Sequence, residues 1–440
     1  MRLDPADKAI GPDIAENSKR SGCSLHRAAL TGSTGHLCGL GRTDRDLLHR
    51  LIAAAGSDPA ESKAAGCHAL SLDLCPGATD AGKRLQLDHN SKPTQLRTDS
   101  QQALRTVLIT GSAGFIGYHL AACLLQHGFR VVGYDGMTDY YDVSLKRHRH
   151  QMLLQNANFS CFEAQLEDQP TLHGLTARER PEVIVHLAAQ AGVRYSLENP
   201  GAYISANIVG TFNLLECARE FGVSHLLMAS TSSVYGANQA MPFAENDRTD
   251  TPLTLYAATK KANEHMGHCY AHLWKIPTTM FRFFTVYGPW GRPDLALYKF
   301  VKAALADEPI DVYNHGNMAR DFTYVTDLVH AIRLLIDTPP VEPASRAAIL
   351  PDDSLSPVAP FRVVNIGNNT KVSLLEFIAE IERCLGRPIA KNFIDMQKGD
   401  VPATWANADL LQRLTGYRPQ TTVAEGVGQF VAWYRSYYQV

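Results

Sequence analysis

Three glycines, Gly111, Gly114 and Gly117, constrain the fold of this chain more than any other feature. They follow the short apolar run Val107–Thr110 and open a helical pattern that begins at Phe115. At this spacing, glycines allow a tight turn, close approach of the backbone to a pyrophosphate, and tight packing of helix on strand. A strand, a glycine turn and a helix in this order predict the first unit of a dinucleotide-binding parallel sheet.

Strands alternating with helices continue beyond the glycine motif. The sequence predicts strands at Val131–Tyr134, Phe159–Phe162, Val183–His186, 225–229 and 277–283, and helices near Ser144–Leu154, 198–221 and 255–273. Such alternation is typical of an α/β fold with a doubly wound parallel sheet of the Rossmann type. After Tyr287 the pattern is less regular, and segments such as Asp294–Ala306 and Ile310–Tyr313 indicate a smaller C-terminal α/β substrate domain.

Three regions follow from these patterns. Residues 104–288 are predicted to form the dinucleotide-binding domain, with its sheet completed by later segments, and residues 289–440 mainly the substrate domain, with a proline-rich loop at 338–360. Residues 1–103 mix small and polar residues with one short helical pattern, Leu47–Ala55, so we expect a poorly ordered or dispensable extension. A regulatory segment and an upstream start codon are the alternatives.

The overall composition argues against several classes of protein. Forty-two basic against forty-four acidic residues give no electrostatic basis for binding nucleic acid or an anionic membrane. Nine scattered cysteines fit reduced thiols, and neither a signal peptide nor an apolar run of about 18 residues is evident, so we expect a cytoplasmic protein. No metal is predicted, because His148 and His150 lie in a basic helix expected at the surface and no other residues are spaced as ligands.

A cluster of hydroxyl groups, Ser230–Ser233, follows the apolar run of the strand predicted at 225–229. Ligands bind at the carboxyl ends of the strands in a doubly wound sheet. The cluster is therefore a candidate part of the active site.

Tyr256 and Lys260 lie four residues apart in a predicted helix and so share one face. A tyrosine has a pKa near 10 and needs a shift of roughly 3 units to act as a base at neutral pH. One cation about 4 Å away at an effective dielectric constant of about 20 supplies a similar free energy, and Lys260 plus an oxidised nicotinamide would give two. Tyr256 is thus a candidate base toward a sugar hydroxyl, with Thr231 bonding the same oxygen. The alternative is an ordinary helix, because 17 tyrosines make a Tyr-x-x-x-Lys match common.

Two further segments follow predicted strands. Asp135 ends the second strand, 24 residues after Gly111. A carboxylate there accepts hydrogen bonds from ribose hydroxyls and repels a 2′-phosphate, which favours NAD over NADP. The segment from His186 to Arg194 follows the fourth strand, and its small residues let the backbone approach the cofactor. Arg194 is a candidate for binding a phosphate or carboxylate; the alternative is a solvated arginine.

Taken together, these motifs resemble those of the extended short-chain dehydrogenase/reductases, and most closely the UDP-glucuronate 4-epimerases of the NAD-dependent epimerase/dehydratase family. The resemblance covers about residues 105–438 and rests on the segments TGSAGFIG, HLAAQAGVRYSLENP, SSVYGAN, LYAATKKANE, RFFTVYGPWGRPD, NHGNMARDFTYV, VVNIGN and GDVPATWA.

The resemblance implies a set of site residues. The catalytic set would be Thr231, Tyr256 and Lys260. NAD would be held by Gly111, Gly114, Phe115, Ile116, Gly117, Asp135, Gln165, Leu166, Leu187, Ala188, Ala189, Tyr256 and Lys260. The UDP-sugar would be held by Arg194, Asn207, Ser232, Ser233, Thr285, Arg292, Val312, Tyr313, Arg320, Gln397 and Asp400.

Within the substrate set, the resemblance assigns parts of the ligand. Arg320 would bind the pyrophosphate. Val312 and Tyr313 would lie near uracil, Asn207 near the ribose or phosphates, and Gln397 and Asp400 near the uridine ribose. Thr285 and Arg292 would lie beside the sugar carboxylate, with Arg194 a further candidate. Because an arginine fork suits a carboxylate better than a hydroxymethyl group, glucuronate is favoured over glucose.

The chain departs from the family pattern at two places. Ala164-Gln165-Leu166 stands where Gly-Asp-Leu is usual, so the acceptor for the adenine amine loses its charge. Gly136-Met137 follows Asp135 where Asn-Leu is common, so the segment expected to contact the adenosine ribose differs from the family pattern.

The implied reaction is C4 epimerisation of UDP-glucuronate to UDP-galacturonate. Tyr256 would take the proton of the 4-hydroxyl while NAD accepts the C4 hydride, and the 4-keto sugar would turn and receive the hydride on its other face. The alternatives on the same scaffold are a UDP-glucuronate decarboxylase and an epimerase of UDP-glucose or UDP-N-acetylhexosamine. A dehydratase is disfavoured, because it would need an acidic pair where this chain has Ser232-Ser233. A non-catalytic NAD-binding scaffold is disfavoured, because it would not need Thr231, Tyr256 and Lys260.

The resemblance also implies a homodimer that pairs the helices at 198–221 and 255–273, and a role in polysaccharide biosynthesis.

Overall fold

The structure, a computed structural model, describes residues 104–440, so the predicted extension 1–103 and its helix Leu47–Ala55 lie outside the described residues. The described strands are β1 Thr106–Thr110, β2 Arg130–Asp135, β3 Phe159–Glu163, β4 Val183–His186, β5 His225–Thr231, β6 Thr278–Phe283, β7 Thr285–Tyr287, β8 Ile310–Tyr313, β9 Ala319–Arg320, β10 Phe322–Tyr324, β11 Phe361–Ile366, β12 Val372–Ser373, β13 Lys391–Ile394 and β14 Ala403–Thr404. The described α-helices are α1 Phe115–Gln126, α2 Val143–Leu153, α3 Gln169–Glu179, α4 Tyr195–Glu198, α5 Pro200–Tyr203, α6 Thr211–Phe221, α7 Leu255–Trp274, α8 Ala296–Leu305, α9 Val325–Ile336, α10 Leu374–Leu385, α11 Asp409–Thr415 and α12 Val423–Tyr438.

A seven-stranded parallel sheet confirms the predicted α/β class. Its strands run in the order β3-β2-β1-β4-β5-β6-β11, and every neighbouring pair is parallel. The chain order reverses between β1 and β4. In such sheets, ligands bind outside the carboxyl ends of the strands at this reversal.

Alternate residues of the strands face two separate cores. Val107 and Ile109 of β1 pack in one core with α1 and α9. Leu108, between them, packs in the other core with α3 and α6. Because both faces are covered, the central strands are continuous apolar runs, as parallel sheets require.

The remaining strands form a smaller C-terminal layer. β8 pairs with β13, β9 lies between β12 and β14, and β7 pairs with β10. Helices α8, α10 and α12 pack around a third core. The predicted loop at 338–360 contains one short helical turn, Arg346–Ala348, and no strand. Although β11 and α9 lie between 289 and 440 in sequence, they belong to the large sheet and its core.

The helix predicted at 198–221 is confirmed from Pro200 to Phe221, because α5, a π-helical segment at Ile204–Gly210 and α6 follow one another without a break. Asn199 separates it from the short helix α4, so the helix begins two residues later than predicted. Pro200 lacks an amide N–H and disfavours helical backbone at the residue before it. Asn199 accordingly has φ −133° and ψ 70°, and its side chain accepts a hydrogen bond from Ala202 N.

A buried ion pair fastens α7 to the sheet. Glu264 of α7 accepts two hydrogen bonds from Arg282 of β6, both at 2.9 Å, and one from Ser230 of β5 at 2.6 Å. Burial opposes ionisation of Glu264, but Arg282, Lys261 and Ser230 outweigh it and lower the pKa of the carboxyl to about 2. The folded pKa lies below the unfolded value of about 4.3, so this contribution to stability is present above that pH and is lost as the pH falls toward 2.

Glu264→Gln should lower the free energy of unfolding by about 3–5 kcal/mol at pH 7, because it leaves the buried Arg282 without its partner. Urea unfolding measures this change. Asp250→Asn is the control, since its pair with Arg248 is exposed, and should cost at most about 1 kcal/mol. Equal losses in the two variants would contradict the importance of the buried pair.

Candidate active site

A cavity of about 310 Å³ opens at the carboxyl edge of the large sheet, where the chain order reverses. All the residues predicted to hold the cofactor line it. They come from the glycine turn, the ends of β2 and β4, the segment after β3, and α7: Gly111, Gly114, Phe115, Ile116, Gly117, Asp135, Gln165, Leu166, Leu187, Ala188, Ala189, Tyr256 and Lys260.

The glycine turn leaves no room for side chains. Gly111 has φ +76°, and a Cβ there would lie 2.7 Å from the amide nitrogen of Ala188. A Cβ on Gly117 would lie 2.0 Å from the Gly111 carbonyl oxygen. The backbone at the start of α1 can therefore approach a ligand closely, and its free N–H groups and helix dipole suit a pyrophosphate.

Asp135, at the end of β2, ties the glycine turn to the loop that follows β2. Its Oδ2 accepts a hydrogen bond from Ala113 N and its Oδ1 from Met137 N, each at 2.9 Å. The carboxylate also lines the cavity, so it can accept bonds from ribose hydroxyls as the sequence predicts. Gln165 steadies the same loop, because its amide donates to the carbonyl of Gly136 at 2.9 Å.

Thr231, Tyr256 and Lys260 line this same cavity. Thr231 ends β5, and the other two lie in the first turns of α7, whose start is capped by Thr254 accepting from Ala257 N. Lys260 is 2% exposed. The local sequence therefore folds a phenol, an ammonium and a hydroxyl around one ligand.

Burial is the main influence on the pKa values of Tyr256 and Lys260 in α7. It lowers the pKa of Lys260 to about 8, although Glu264 acts in the opposite direction. Burial raises the pKa of Tyr256, while the Thr231 hydroxyl and the Arg292 charge act to lower it. The sequence analysis assigned the lowering to Lys260 and an oxidised nicotinamide. In the protein alone, Thr231 and Arg292 act in that direction, and burial outweighs them.

Ser232 and Ser233 lie beside the cavity rather than in its wall. They begin the short helical turn Ser232–Tyr235. The Thr231 hydroxyl accepts a hydrogen bond from Ser233 N and donates one to Ser233 Oγ, both at 3.2 Å. Ser233 thus orients Thr231.

Arg292 reaches the cavity from the segment after β7 and is held by a carboxylate. Its Nε and Nη2 donate to the two oxygens of Asp294 at 2.9 and 2.5 Å. The guanidinium lies 5.7 Å from the centre of the Tyr140 ring. Thr285, which begins β7, is half-buried.

A second cluster gathers residues predicted to hold the nucleotide. Arg194 Nη2 donates to Asp400 Oδ2 at 3.2 Å, and its guanidinium lies 4.4 Å from the centre of the Tyr313 ring. Arg320 is held by three backbone carbonyls, among them that of Val401 at 2.8 Å. The amide of Asp400 also donates to the Gln397 carbonyl at 3.2 Å.

Val312 and Asn207 do not fit the predicted contacts with the nucleotide. Val312 is fully buried in the core of the C-terminal layer. Asn207 is also fully buried, where its side chain bonds the backbone N–H and carbonyl of Gln190 and the Thr259 hydroxyl. Both side chains face the interior, and Asn207 holds the segment after β4 in place.

The sequence analysis missed one wall of the cavity. Tyr140, Tyr141 and Lys146 line it, and Lys146 donates to the carbonyl and hydroxyl oxygens of Thr138 at 2.7 and 3.0 Å. The tyrosine pair after Asp135 was the available signal. The basic helix expected at the surface, α2, in fact buries Lys146, Arg149 and His150 and exposes His148.

Metal and membrane sites are absent from the described part of the chain. Within residues 104–440, no three His, Cys, Asp or Glu residues group as metal ligands. Within the same range, no helix has the length and apolar character needed to cross a membrane.

Known proteins are similar to this chain in both sequence and structure. The chain is 56% identical over 332 residues to a probable UDP-glucuronate 4-epimerase of Rhizobium meliloti, an alignment of 76% of this chain and 97% of that protein. It is 43% identical over 349 residues to UDP-glucuronate 4-epimerase 4 of Arabidopsis thaliana, covering 78% of each chain. The structure superposes with a TM-score of 0.68 and 30% identity on UDP-glucuronic acid 4-epimerase from Bacillus cereus in complex with UDP-glucuronic acid and NAD, covering 76% of this chain and 100% of that one. Residues 107–348 match the NAD dependent epimerase/dehydratase family, and the chain belongs to that family.

Proposed function

We propose that this protein is an NAD-dependent UDP-glucuronate 4-epimerase, which converts UDP-glucuronate to UDP-galacturonate through a 4-keto sugar. One observation carries the proposal: Thr231, Tyr256 and Lys260 share a cavity with the glycine turn and with Arg292. The relatives in Rhizobium meliloti and Arabidopsis thaliana support the substrate.

The cofactor fits the cavity by its chemistry. The glycine turn offers backbone N–H groups for a pyrophosphate, and Asp135 offers a carboxylate for ribose hydroxyls, which disfavours the 2′-phosphate of NADP. When bound, NAD accepts the hydride of the sugar C4 and returns it to the opposite face. Its positive nicotinamide also adds a charge that favours ionisation of a nearby phenol.

Tyr256 removes the proton of the sugar 4-hydroxyl. Its phenol needs positive charge around it to do so at neutral pH, because burial raises its pKa. Lys260 has a pKa of about 8 and is therefore mostly protonated at pH 7. Thr231 keeps the hydrogen bond from Ser233 N, and its hydroxyl proton can turn from Ser233 Oγ to the same sugar oxygen and fix the position of that oxygen.

Arg292, which lines the cavity, binds the sugar carboxylate. The family resemblance places Thr285 at the same group. The pairing of Arg292 with Asp294 uses Nε and Nη2 and leaves Nη1 outside that pair. Nη1 is therefore available for a charge-assisted bond to a carboxylate. This bond favours UDP-glucuronate over UDP-glucose.

The uridine diphosphate binds at the second cluster. Arg194 and Arg320 supply positive charge for the phosphates, Tyr313 a ring for the base, and Gln397 and Asp400 polar groups for the ribose. A nucleotide held there keeps the 4-keto sugar attached while its ring turns. Release of the keto sugar would leave a reduced cofactor on the enzyme.

A decarboxylase is the second candidate, because it acts on the same substrate through the same keto sugar. The family resemblance places an acidic residue just before Val234-Tyr235 in decarboxylases, whereas this chain has Ser233. The half-buried serine hydroxyl bonds Thr231 and offers no carboxylic acid.

We further infer a cytoplasmic homodimer that serves polysaccharide biosynthesis. Large apolar side chains are exposed on α6, on α7 and on the preceding π-helical segment: Ile204, Val209, Phe212, Leu273 and Trp274. Burying these side chains against a second copy would remove them from water.

Incubation of the purified protein with UDP-glucuronate, without added reductant, should give UDP-galacturonate. The reaction needs no net electron supply, because NAD recovers its oxidised state in each turnover. Chromatography and mass spectrometry identify the sugar nucleotide. A pentose nucleotide with carbon dioxide would instead establish a decarboxylase, and a protein that never binds NAD would contradict the proposal.

Tyr256→Phe should bind UDP-glucuronate normally but turn it over at least about 100-fold more slowly, the low end of general-base contributions. Tyr270→Phe is the matched control, because Tyr270 lies on the same helix but outside the cavity wall, where it bonds Glu216. Calorimetry measures the binding of UDP-glucuronate, and single-turnover kinetics measures the rate of its conversion. Near-normal turnover by Tyr256→Phe would contradict its role as the base.

A further inference from the structure

Arg149 of α2 is a buried cation that the reaction itself does not use. Its side chain is fully buried, and its hydrogen-bond partners in the described chain are three carbonyl oxygens and a phenol rather than a carboxylate. Burying a charge without a counter-ion lowers stability.

The guanidinium joins three separate segments. Nη1 donates to the Ala113 carbonyl in the glycine turn at 2.8 Å and to the Tyr141 hydroxyl at 2.9 Å. Nη2 donates to the Trp290 carbonyl at 2.5 Å and lies 3.4 Å from that of Gly291. The planar guanidinium thus links the glycine turn to the Trp290–Gly291 segment, which precedes Arg292 in the chain.

The Trp290–Gly291 segment, which Arg149 binds, has an unfavourable backbone conformation. Trp290 has φ +59°, a left-handed conformation that is unfavourable for a bulky residue. Its ring packs against Trp433 and Tyr437, with ring centres 5.3 and 5.0 Å away. His119 of α1 also bonds the Pro289 carbonyl at 2.9 Å. The conformation of this turn is therefore stabilised by contacts with neighbouring residues, not by the backbone preference of Trp290.

Arg292 comes directly after this turn. We propose that Arg149 is a positioning residue: by holding the Trp290–Gly291 carbonyls against the glycine turn, it sets the place of Arg292 at the sugar carboxylate. The inference rests on the proposed function and adds to it a residue that touches neither substrate nor cofactor. A lysine cannot replace it, because a compact ammonium cannot present the planar fork of donors that spans these acceptors.

The test compares Arg149→Lys with Arg147→Lys in the NAD-loaded protein. Arg147 lies on the same helix and is 59% exposed, so its substitution controls for a general effect of the change. Calorimetry measures the Kd of UDP-glucuronate and the Kd of UDP. Arg149→Lys should weaken UDP-glucuronate about 10-fold, equivalent to about 1.4 kcal/mol, and leave UDP within about twofold. Arg147→Lys should change neither.

A double-mutant cycle with Arg292→Ala separates positioning from a general loss of structure. If Arg149 acts through Arg292, then Arg149→Lys should add nothing to the Kd of UDP-glucuronate once Arg292 is removed. Additive losses, or equal weakening of UDP and UDP-glucuronate, would overturn the inference.

Tyr141→Phe replaces Arg149→Lys if the latter does not fold. It removes one acceptor from the guanidinium and should cause the same selective loss, about 2–3-fold; no selective loss would overturn the inference. Wild-type protein that neither binds nor converts UDP-glucuronate would contradict the proposed function instead, so the two failures are distinguishable.

Discussion

A half-buried phenol and a buried ammonium in one cavity at the carboxyl edge of a parallel sheet are the features on which this protein depends. Burial raises the pKa of Tyr256 and lowers that of Lys260 to about 8. Both shifts have one cause, the cost of a charge away from water. The protein alone therefore keeps the phenol protonated, and positive charge brought by the cofactor would promote its ionisation where hydride transfer needs it.

The surrounding structure serves to hold these groups at a fixed distance from a dinucleotide. The glycine turn brings the backbone of α1 close to the cavity, and Asp135 ties that turn to the next loop. On the other side, Glu264 joins α7 to β5 and β6 through Ser230 and Arg282. Such buried, hydrogen-bonded ties limit the motion of Tyr256 relative to Thr231.

The sequence predicted the parts of the site that depend on local backbone geometry. The glycine turn, Asp135 and the Tyr256–Lys260 pair are fixed by the order of strand, turn and helix, so their place at one cavity follows from the motif. Arg149 and Lys146 could not be found this way, because charged residues in a helix read as solvated unless tertiary contacts bury them. Val312 and Asn207 turn inward for the same reason: packing of distant segments decides which face of an element is buried. Pro200 was visible in the sequence, but no local pattern marked the π-helical segment Ile204–Gly210 inside the predicted helix.

Ultraviolet difference titration of tyrosinate, wild type minus Tyr256→Phe, tests the central claim most directly. Without NAD, the account predicts that Tyr256 ionises above pH 10, because burial dominates. With oxidised NAD bound, its pKa should fall by at least about 1 unit, since one added positive charge within about 4 Å is worth several kcal/mol at an effective dielectric constant of about 20. An unchanged pKa on binding NAD, or a pKa well below 10 in the protein alone, would contradict the account.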